Sequence, residues 1–275
     1  MAEYVWICEL GKGATSHVYL AADRRDGKKY AVKCFESVRD FDMAREEMSV
    51  MERLRHPGIP VIYLVERTKE GGRIVMEYVP GRTWKEYLRV NGVLSEEEAV
   101  AWGMQLCEIL SYLHWQDPAV IYRDLKPGNL MVTPAGQVKL VDFGAAVIGR
   151  NGAAFAVEPI GTKGFAAPEQ FVRNGRVDTR TDVYGFGATM LQMMTGRHPA
   201  DMPGYRPEGK RDEIRLSRKM RAVLEKCVQP EPDKRYRFFE EIKRDLAHPG
   251  RPASGAGTFR ITRSNMRCPK NMSAN

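Results

Sequence analysis

The chain has no apolar run that approaches the roughly 18 residues needed to cross a bilayer as a helix. Its first residues, MAEYVWICEL, lack the basic segment and the following apolar segment of a secretory leader. We therefore expect an intracellular, cytoplasmic protein without a transmembrane segment. Cysteine is also scarce. The five residues are scattered without a C-x-x-C pair, which argues against a zinc site and against a disulfide framework.

Acidic residues are outnumbered by basic ones, 35 against 43, which gives a formal net charge of +8. Such a balance raises the question of nucleic-acid binding. From Arg244 to the C-terminus, six basic residues accompany the single acid Asp245, without an aromatic-rich basic strand or a C2H2 spacing. We expect a solvated tail or a weak anchor for an acidic surface, and no sequence-specific nucleic-acid binding.

The first third of the chain alternates as a β-sheet does. Short runs rich in β-branched and aromatic residues, most of them separated by turn signals, predict five strands. These strands are expected at residues 4–10, 17–21, 29–35, 60–67 and 73–79. Apolar residues at helical spacing predict one helix over 41–54, between the third and fourth strands.

After Pro80 the pattern becomes helical. Ser95 with Glu98 three residues later is a capping box, and it opens a long amphipathic helix. Three further helices are predicted at residues 180–195, 216–228 and 237–247.

The chain thus divides into three parts, and its fold class is α+β. We expect a small sheet-rich lobe over residues 1–79 and a larger helical lobe over 80–247. Residues 248–275 begin with a segment rich in Pro, Gly and Ser, and we expect disorder there.

A glycine-rich segment between the first two predicted strands is a candidate phosphate site. The stretch LGKGATSHV contains Gly11 and Gly13, with Ser16 where a third glycine would stand. It leads into a strand and no GK[ST] follows, so it is neither a dinucleotide fingerprint nor a Walker loop. Any glycine-rich hairpin gives this pattern, so the phosphate site depends on its neighbours in the fold.

A lysine on the third predicted strand supplies such a neighbour. Alternation places Lys33 and Ala31 on one face of that strand, although an isolated strand lysine is usually a solvated edge residue. Glu47 follows fourteen residues later, in the one helix predicted for this region. A strand lysine paired with a helix glutamate would hold the α and β phosphates of ATP.

Together with three later motifs, these segments resemble the eukaryotic-type serine/threonine protein kinases over residues 5–247. The motifs occur in the family's order as GKGATS, AVK, YRDLKPGN, DFG at 142–144 and APE at 167–169. The phrase GFAAPEQF is more similar to bacterial members than to animal ones. The resemblance implies a bilobal protein kinase fold, ATP and Mg²⁺ as cofactors, and Ser or Thr hydroxyls of proteins as acceptors.

The resemblance also implies a role for each catalytic residue. Asp124 is expected to accept the proton of the incoming hydroxyl, and Lys126 to neutralise charge on the moving phosphoryl group. Asn129 and Asp142 are the expected metal ligands, and Thr162 would steady Asp124 and Lys126. Lys33 and Glu47 complete the expected catalytic set.

A nucleotide site between the lobes is implied in the same way. Its expected residues are Leu10, Gly11, Lys12, Gly13, Val18, Ala31, Lys33, Met76, Glu77, Val79 and Met131. Ordinary core packing would explain Val18, Ala31 and Met131 equally well. Three further residues, Glu169, Arg235 and Asp182, are expected to be structural: the first two as a buried ion pair, the third as a tie between the catalytic loop and the helix at 180–195.

The sequence departs from the family pattern at the start of the catalytic loop. Tyr122 stands where His is usual, and an aromatic residue there can still pack on Phe143. The segment 142–161 departs further, because it contains no Ser, Thr or Tyr. The sequence does not distinguish a natural segment from one engineered to lose its hydroxyl residues.

A hydroxyl-free segment cannot carry the phosphate that pairs with the arginine before the catalytic aspartate in many kinases. Arg123 would then be satisfied by another group, with Glu158 as a candidate, or packing of Phe155 and Ile160 would hold the segment. We expect activity without phosphorylation of this segment.

Two alternatives to the kinase hypothesis were weighed. An ATP-binding regulator without phosphoryl transfer would be favoured by the loss of a catalytic residue, and none is lost. A small-molecule phosphotransferase of related fold usually lacks the APE segment, which is present. The substrate, the activating signal and a possible homodimer are not readable, although the basic stretch at 196–215 would suit an acidic protein surface.

Overall fold

The structure, a computed structural model, describes most of the chain up to residue 247. The described residues are 4–13, 15–48, 50–149, 155–156, 160–172, 175–201 and 216–247, with the backbone alone described at 46, 47, 155 and 156. The predicted tail at 248–275 and most of the basic stretch at 196–215 lie outside them. None of the helices in the described ranges is long and apolar enough to cross a membrane.

A five-stranded antiparallel sheet forms the N-terminal lobe. Its strands are β1 Tyr4–Lys12, β2 His17–Asp23, β3 Lys29–Phe35, β4 Ile62–Arg67 and β5 Gly72–Glu77. They lie in the order β1-β2-β3-β5-β4, and each bound falls within two residues of the prediction. The central strands are buried on both faces, because Ala21, Val32 and Val75 form a small second cluster apart from the main core.

One helix, α1 (Val38–Met48), packs against this sheet. Its buried Phe41 lies against β5, where a Cβ at Gly72 would stand 2.3 Å from the ring, so glycine permits the contact. The prediction that the helix reaches Leu54 was wrong. A 3-10 turn at Met51–Arg53 follows the helix, and its buried apolar residues continue the helical spacing without continuing the helix.

Helices form most of the regular secondary structure in the described part of the C-terminal lobe, so the predicted α+β class is confirmed. They are α2 Trp84–Asn91, α3 Glu96–His114, α4 Arg180–Thr195, α5 Arg218–Cys227 and α6 Phe239–Leu246. The capping box predicted for α3 is present, since Ser95 Oγ accepts from Glu98 N and Ser95 N donates to Glu98 Oε2. The helix α4 is buried over almost its whole length, as its apolar sequence predicts.

Short strands connect these helices and carry the loops between the lobes. They are β6 Arg82–Thr83, β7 Val120–Ile121, β8 Leu130–Val132, β9 Val138–Leu140, β10 Val147–Ile148, β11 Phe155–Ala156 and β12 Arg176–Val177. The pairs β7 with β10 and β8 with β9 hold the ends of two loops, 122–129 and 141–146. Both loops are therefore fixed close to each other.

Candidate active site

One face of the N-terminal sheet carries several of the predicted nucleotide residues. In register, Val18 lies opposite Gly11 on β1 and opposite Lys33 on β3, and Ala31 lies opposite Met76 on β5. Directly opposed residues, and residues two apart on one strand, point to the same face of a sheet. The fold thus brings these five residues to one face.

The glycine-rich segment forms the turn between β1 and β2. Lys12 pairs with His17 in register, and Gly13 N donates to Ser16 O at 2.8 Å, so the turn is narrow. Ser16, which stands at the third glycine position, is buried. Leu10 is exposed on β1, at the edge of the expected nucleotide site.

Three side chains hold the carboxylate of Asp124, two from the catalytic loop itself and one from Thr162. Lys126 Nζ lies 2.6 Å from Oδ2, and Asn129 Nδ2 donates to the same oxygen at 2.9 Å. Thr162 Oγ1 donates to Oδ1 at 2.8 Å, and Lys126 Nζ also reaches Thr162 Oγ1 at 2.9 Å. The structure therefore brings together Asp124, Lys126, Asn129 and Thr162, which lie up to 38 residues apart in sequence.

Tyr122 clamps the backbone on both sides of Asp142. Its Oη donates to Val141 O at 2.6 Å and to Asp142 O at 2.8 Å, and its ring packs edge-on against Phe143. Asp142 adopts φ 63°, a left-handed conformation that is strained for a residue other than glycine. Burial, with the negative charges of Asp142 and Asp124, raises the pKa of the Tyr122 hydroxyl, so it stays protonated and able to donate.

The two lobes meet where Lys33 faces Asp142. Lys33 Nζ lies 3.9 Å from Asp142 Oδ1, and the Asp142 side chain is 54% exposed toward the space between the lobes. Glu47 lies in α1, as expected, but its side chain is outside the described part of the chain. The predicted pair of Lys33 with Glu47 stays a prediction.

The segment between the lobes follows β5. Met76 and Glu77 end that strand, and Val79 is buried two residues later. Met131 lies across on β8, where it is paired in register with Lys139 of β9. The expected placement of adenine between Met131 and the sheet stays a prediction.

A buried carboxylate on α4 anchors the catalytic loop from below. Asp182 accepts hydrogen bonds from Tyr122 N, Arg123 N and His114 Nε2, each at 2.8 Å. Arg123 has a left-handed backbone, with φ 67°, and these bonds hold it there. The predicted structural role of Asp182 is confirmed.

Side chains of the catalytic loop and the APE segment also hold the segment that begins at Asp142. Arg123 Nε donates to Ala145 O at 2.6 Å. Gln170 Nε2 donates to Arg123 O at 2.8 Å and to Ile160 O at 2.9 Å. Ile160 contributes its carbonyl, while its side chain is exposed. Of the two alternatives, the contacts therefore favour Arg123 satisfied by another group, Ala145 O, over packing of Ile160. Glu158 and the Phe155 side chain lie outside the described residues.

The predicted ion pair in the C-terminal lobe is confirmed. Arg235 binds Glu169 through two hydrogen bonds of 2.7 and 2.8 Å, and the arginine side chain is fully buried. Its remaining donors reach backbone carbonyls, including Gln229 O and Pro230 O. The pair fixes the APE segment to the chain after α5.

Three residues of the site give no local signal in the sequence. Lys139, Gln170 and His114 bind Glu77, Ile160 O and Asp182 respectively, across 62, 10 and 68 residues. Contacts of this kind depend on tertiary structure, so hydrophobic periodicity and short sequence motifs do not predict them.

With this geometry in place, the class of protein is defined: the chain belongs to the protein kinase domain family, whose model matches residues 4–247. The chain is similar to serine/threonine-protein kinase PknB of Mycobacterium tuberculosis, with 32% identity over 273 residues, 88% of this chain and 42% of that protein. It is 30% identical to PknB of Mycobacterium leprae over 301 residues, 93% of this chain and 47% of that protein. PrkC of Bacillus subtilis is 28% identical over 254 residues, 86% of this chain and 39% of that protein.

These relatives confirm the predicted resemblance to serine/threonine kinases and to bacterial members. The chain spans less than half the length of these curated relatives. What it shares with them is therefore the kinase domain. Membership of this family implies the use of ATP and of protein substrates.

Proposed function

We propose that the chain transfers the γ-phosphoryl group of ATP to Ser or Thr hydroxyls of proteins, with Mg²⁺ as the metal. The observation that supports this most is the arrangement of Asp124, with Lys126, Asn129 and Thr162 all within hydrogen-bond distance of its carboxylate or of one another. The paired Lys33 and Asp142 face the same space between the lobes.

In this proposal the acceptor hydroxyl approaches Asp124, which orients it and takes its proton. The Lys126 ammonium lies 2.6 Å from that carboxylate and would neutralise charge on the phosphoryl group. Thr162 already donates a hydroxyl hydrogen bond to Asp124 Oδ1, so this oxygen has the geometry to bind an alcohol. The protein's contribution is positioning and electrostatics.

The proposed nucleotide site combines the sheet face with the segment between the lobes. Backbone amides of the Gly11–Gly13 turn and the Lys33 ammonium would hold the phosphates. The adenine ring would lie against Val18, Ala31 and Met131, with its edge toward the backbone of Glu77 and Val79. Leu10, Lys12 and Met76 would border the same site.

The residues proposed to hold Mg²⁺ fit a hard cation, because they offer oxygen ligands. Asn129 uses its amide nitrogen toward Asp124, so its amide oxygen is the atom that would bind metal. Asp142 contributes a half-exposed carboxylate whose backbone is fixed by Tyr122. Bound Mg²⁺ would supply neutralisation of the β and γ phosphates.

The proposed function also assigns a role to each of the three parts of the chain. Residues 1–79 and 80–247 would act as the two lobes that close on the nucleotide, and 248–275 as a basic tail. Because ATP is a cytoplasmic metabolite, this catalytic part would work in the cytoplasm. The acceptors are protein substrates, and the kinase activity would not need phosphate on segment 142–161, since Arg123 is bound to Ala145 O.

The test measures transfer of labelled γ-phosphate from ATP with Mg²⁺ to the protein itself and to a generic basic acceptor protein. Asp124→Asn is compared with wild type and with Asp26→Asn, which makes the same change in the exposed turn between β2 and β3. Transfer onto Ser or Thr should be abolished by Asp124→Asn alone. If wild type and Asp124→Asn both bind nucleotide and neither transfers phosphate, the proposal is overturned in favour of an ATP-binding regulator.

A further inference from the structure

Lys139 is the one lysine that is buried among the residues the structure describes, at 8% exposure. It lies in the middle of β9, opposite Met131 on β8. Its Nζ is 2.6 Å from Oε1 of Glu77, the last residue of β5. A charged side chain is buried only at a cost, so an ion pair at this place needs a physical reason.

The pair joins the two lobes at the segment between them. Lys139 belongs to the C-terminal lobe, and Glu77 to the sheet of the N-terminal lobe. Glu77 is also held on its other side, because its backbone N donates to Val61 O at 2.8 Å and its Oε2 accepts from Val61 N at 3.3 Å. The Glu77 side chain therefore has few conformations open to it.

The loop before β4 rests on the same part of the C-terminal lobe. Leu140 N, next to Lys139, donates to Gly58 O at 2.8 Å, and Arg55 N donates to Tyr112 Oη at 2.7 Å. A Cβ at Gly58 would stand 2.4 Å from Ile109 Cδ1, so the loop lies directly on α3. The loop makes these contacts through its own backbone, and they fix its position. The Lys139 side chain extends the connection from this loop to β5.

We infer that Lys139 is a positioning residue for the nucleotide: through the Glu77 carboxylate it fixes the backbone segment proposed to meet adenine. The inference rests on the proposed function, because it assumes that ATP binds between the lobes. Lys33 Nζ and Asp142 Oδ1 lie 3.9 Å apart, so the two lobes are close enough for contact across the cleft. The Lys139–Glu77 pair favours this spacing of the lobes. Lys139 acts through Glu77 and does not touch the reacting atoms.

Loss of the Lys139 charge should weaken nucleotide binding more than the chemical step. In Lys139→Met the apolar stem is kept, while the Glu77 carboxylate, 29% exposed, rehydrates and moves away. Adenine then binds a backbone segment, residues 77–79, that has more conformations, and ordering this segment costs binding free energy. We therefore expect the Kd for ADP and the KM for ATP to rise about 3- to 10-fold. At saturating ATP, kcat should change less than about twofold.

Four variants distinguish this role from a general loss of stability. Lys139→Arg keeps the charge and should retain the wild-type Kd within about twofold. The exchanged pair Glu77→Lys with Lys139→Glu should recover at least half of the lost affinity, compared with Lys139→Glu alone. Lys85→Met makes the same change at an exposed lysine of α2 and should have no effect.

The primary readout is ADP binding by calorimetry, which does not depend on catalysis. An unchanged Kd in Lys139→Met, with wild type binding ADP, would overturn the inference and leave the proposed function intact. An equal loss of affinity in the arginine variant, or a fall in kcat with constant KM, would also overturn it. Failure of wild type to bind ADP would instead refute the proposed function.

Discussion

Removal of a single oxygen atom from Tyr122 should misplace the expected metal ligand Asp142. In Tyr122→Phe the ring keeps its edge-on contact with Phe143, while Val141 O and Asp142 O lose their shared donor. One proton serves both carbonyls, so the loss amounts to about 1–2 kcal/mol. The left-handed backbone of Asp142 costs a similar amount, about 1–2 kcal/mol. Without the hydroxyl, its hydrogen bond to Asp142 O no longer offsets this cost, and right-handed conformations of Asp142 become populated.

That energy corresponds to a fall of about 5- to 30-fold in kcat/KM for ATP with Mg²⁺. The assay is phosphate transfer over a range of Mg²⁺ concentrations. The Mg²⁺ concentration that gives half of the maximal rate, the Mg²⁺ midpoint, should be higher in Tyr122→Phe than in wild type. The matched control is Tyr236→Phe, which removes a buried hydroxyl that donates to Asp245 Oδ2 at 2.8 Å, away from the site. The control should lose stability and keep the Mg²⁺ midpoint.

A Tyr122→Phe enzyme with the wild-type rate and the wild-type Mg²⁺ midpoint would refute this reasoning. Such a result would mean that Asp142 keeps its backbone conformation without the clamp. A fall in rate that is shared by Tyr236→Phe would point to general destabilisation. Restoration of the rate by Tyr122→His, the residue usual in the family, would support a positioning role for a side-chain donor.

Three further outcomes are expected. Arg235→Lys keeps the charge but loses the paired hydrogen bonds to Glu169, and chemical denaturation should show about 1.5–3 kcal/mol less stability, which an unchanged midpoint would contradict. Burial is the main cause that lowers the pKa of His56, so the stability that this residue contributes is complete above its ordinary pKa of about 6.5 and is lost as the pH falls below that value toward the lowered pKa of the folded protein. Thermal unfolding of His56→Asn should therefore depend less on acid than that of wild type, and parallel curves would contradict this. Finally, segment 142–161 has no hydroxyl side chain, so phosphatase treatment should leave the rate within about twofold, and a loss of most activity would oppose it.

The strands and long helices could be predicted because their signals are local. Alternation located β1 to β5 within two residues at each bound, and the Ser95 capping box located the start of α3. The same reasoning extended α1 too far, since buried Met51 and Leu54 keep helical spacing in a segment that leaves the helix.

The helix α2 was missed although a signal for it was present. Thr83 and Glu86 form a capping box of the same kind as that of α3, with Glu86 N donating to Thr83 Oγ1. Eight residues with mixed polarity carry too little periodicity to stand out, and a search for the cap alone would have found them.

The candidate site divides in the same way. Motif spacing singled out Asp124, Asn129 and Asp142, because the family pattern fixes their order in sequence, and the structure places them in the loops 122–129 and 141–146. Their catalytic and metal-binding roles stay predictions. The Tyr122 clamp and the Lys139 pair were not predictable, since the first joins two loops of the C-terminal lobe and the second joins β9 to β5, and only folding brings these parts together.

The anchoring of the catalytic loop by Asp182 also bears, on the proposed function, on how much of the chain must be synthesised before phosphate transfer can begin. Chains leave the ribosome N-terminus first, so residues 122–129 emerge well before α4, and Arg235 follows later still. Without Asp182, the backbone N–H groups of Tyr122 and Arg123 lose their acceptor, so the left-handed backbone at Arg123 is no longer held. The next residue, Asp124, is then not held in its position in the site. On the proposed function, a nascent or truncated chain that ends before α4 should therefore lack phosphate transfer, and transfer should begin only after α4 has been made.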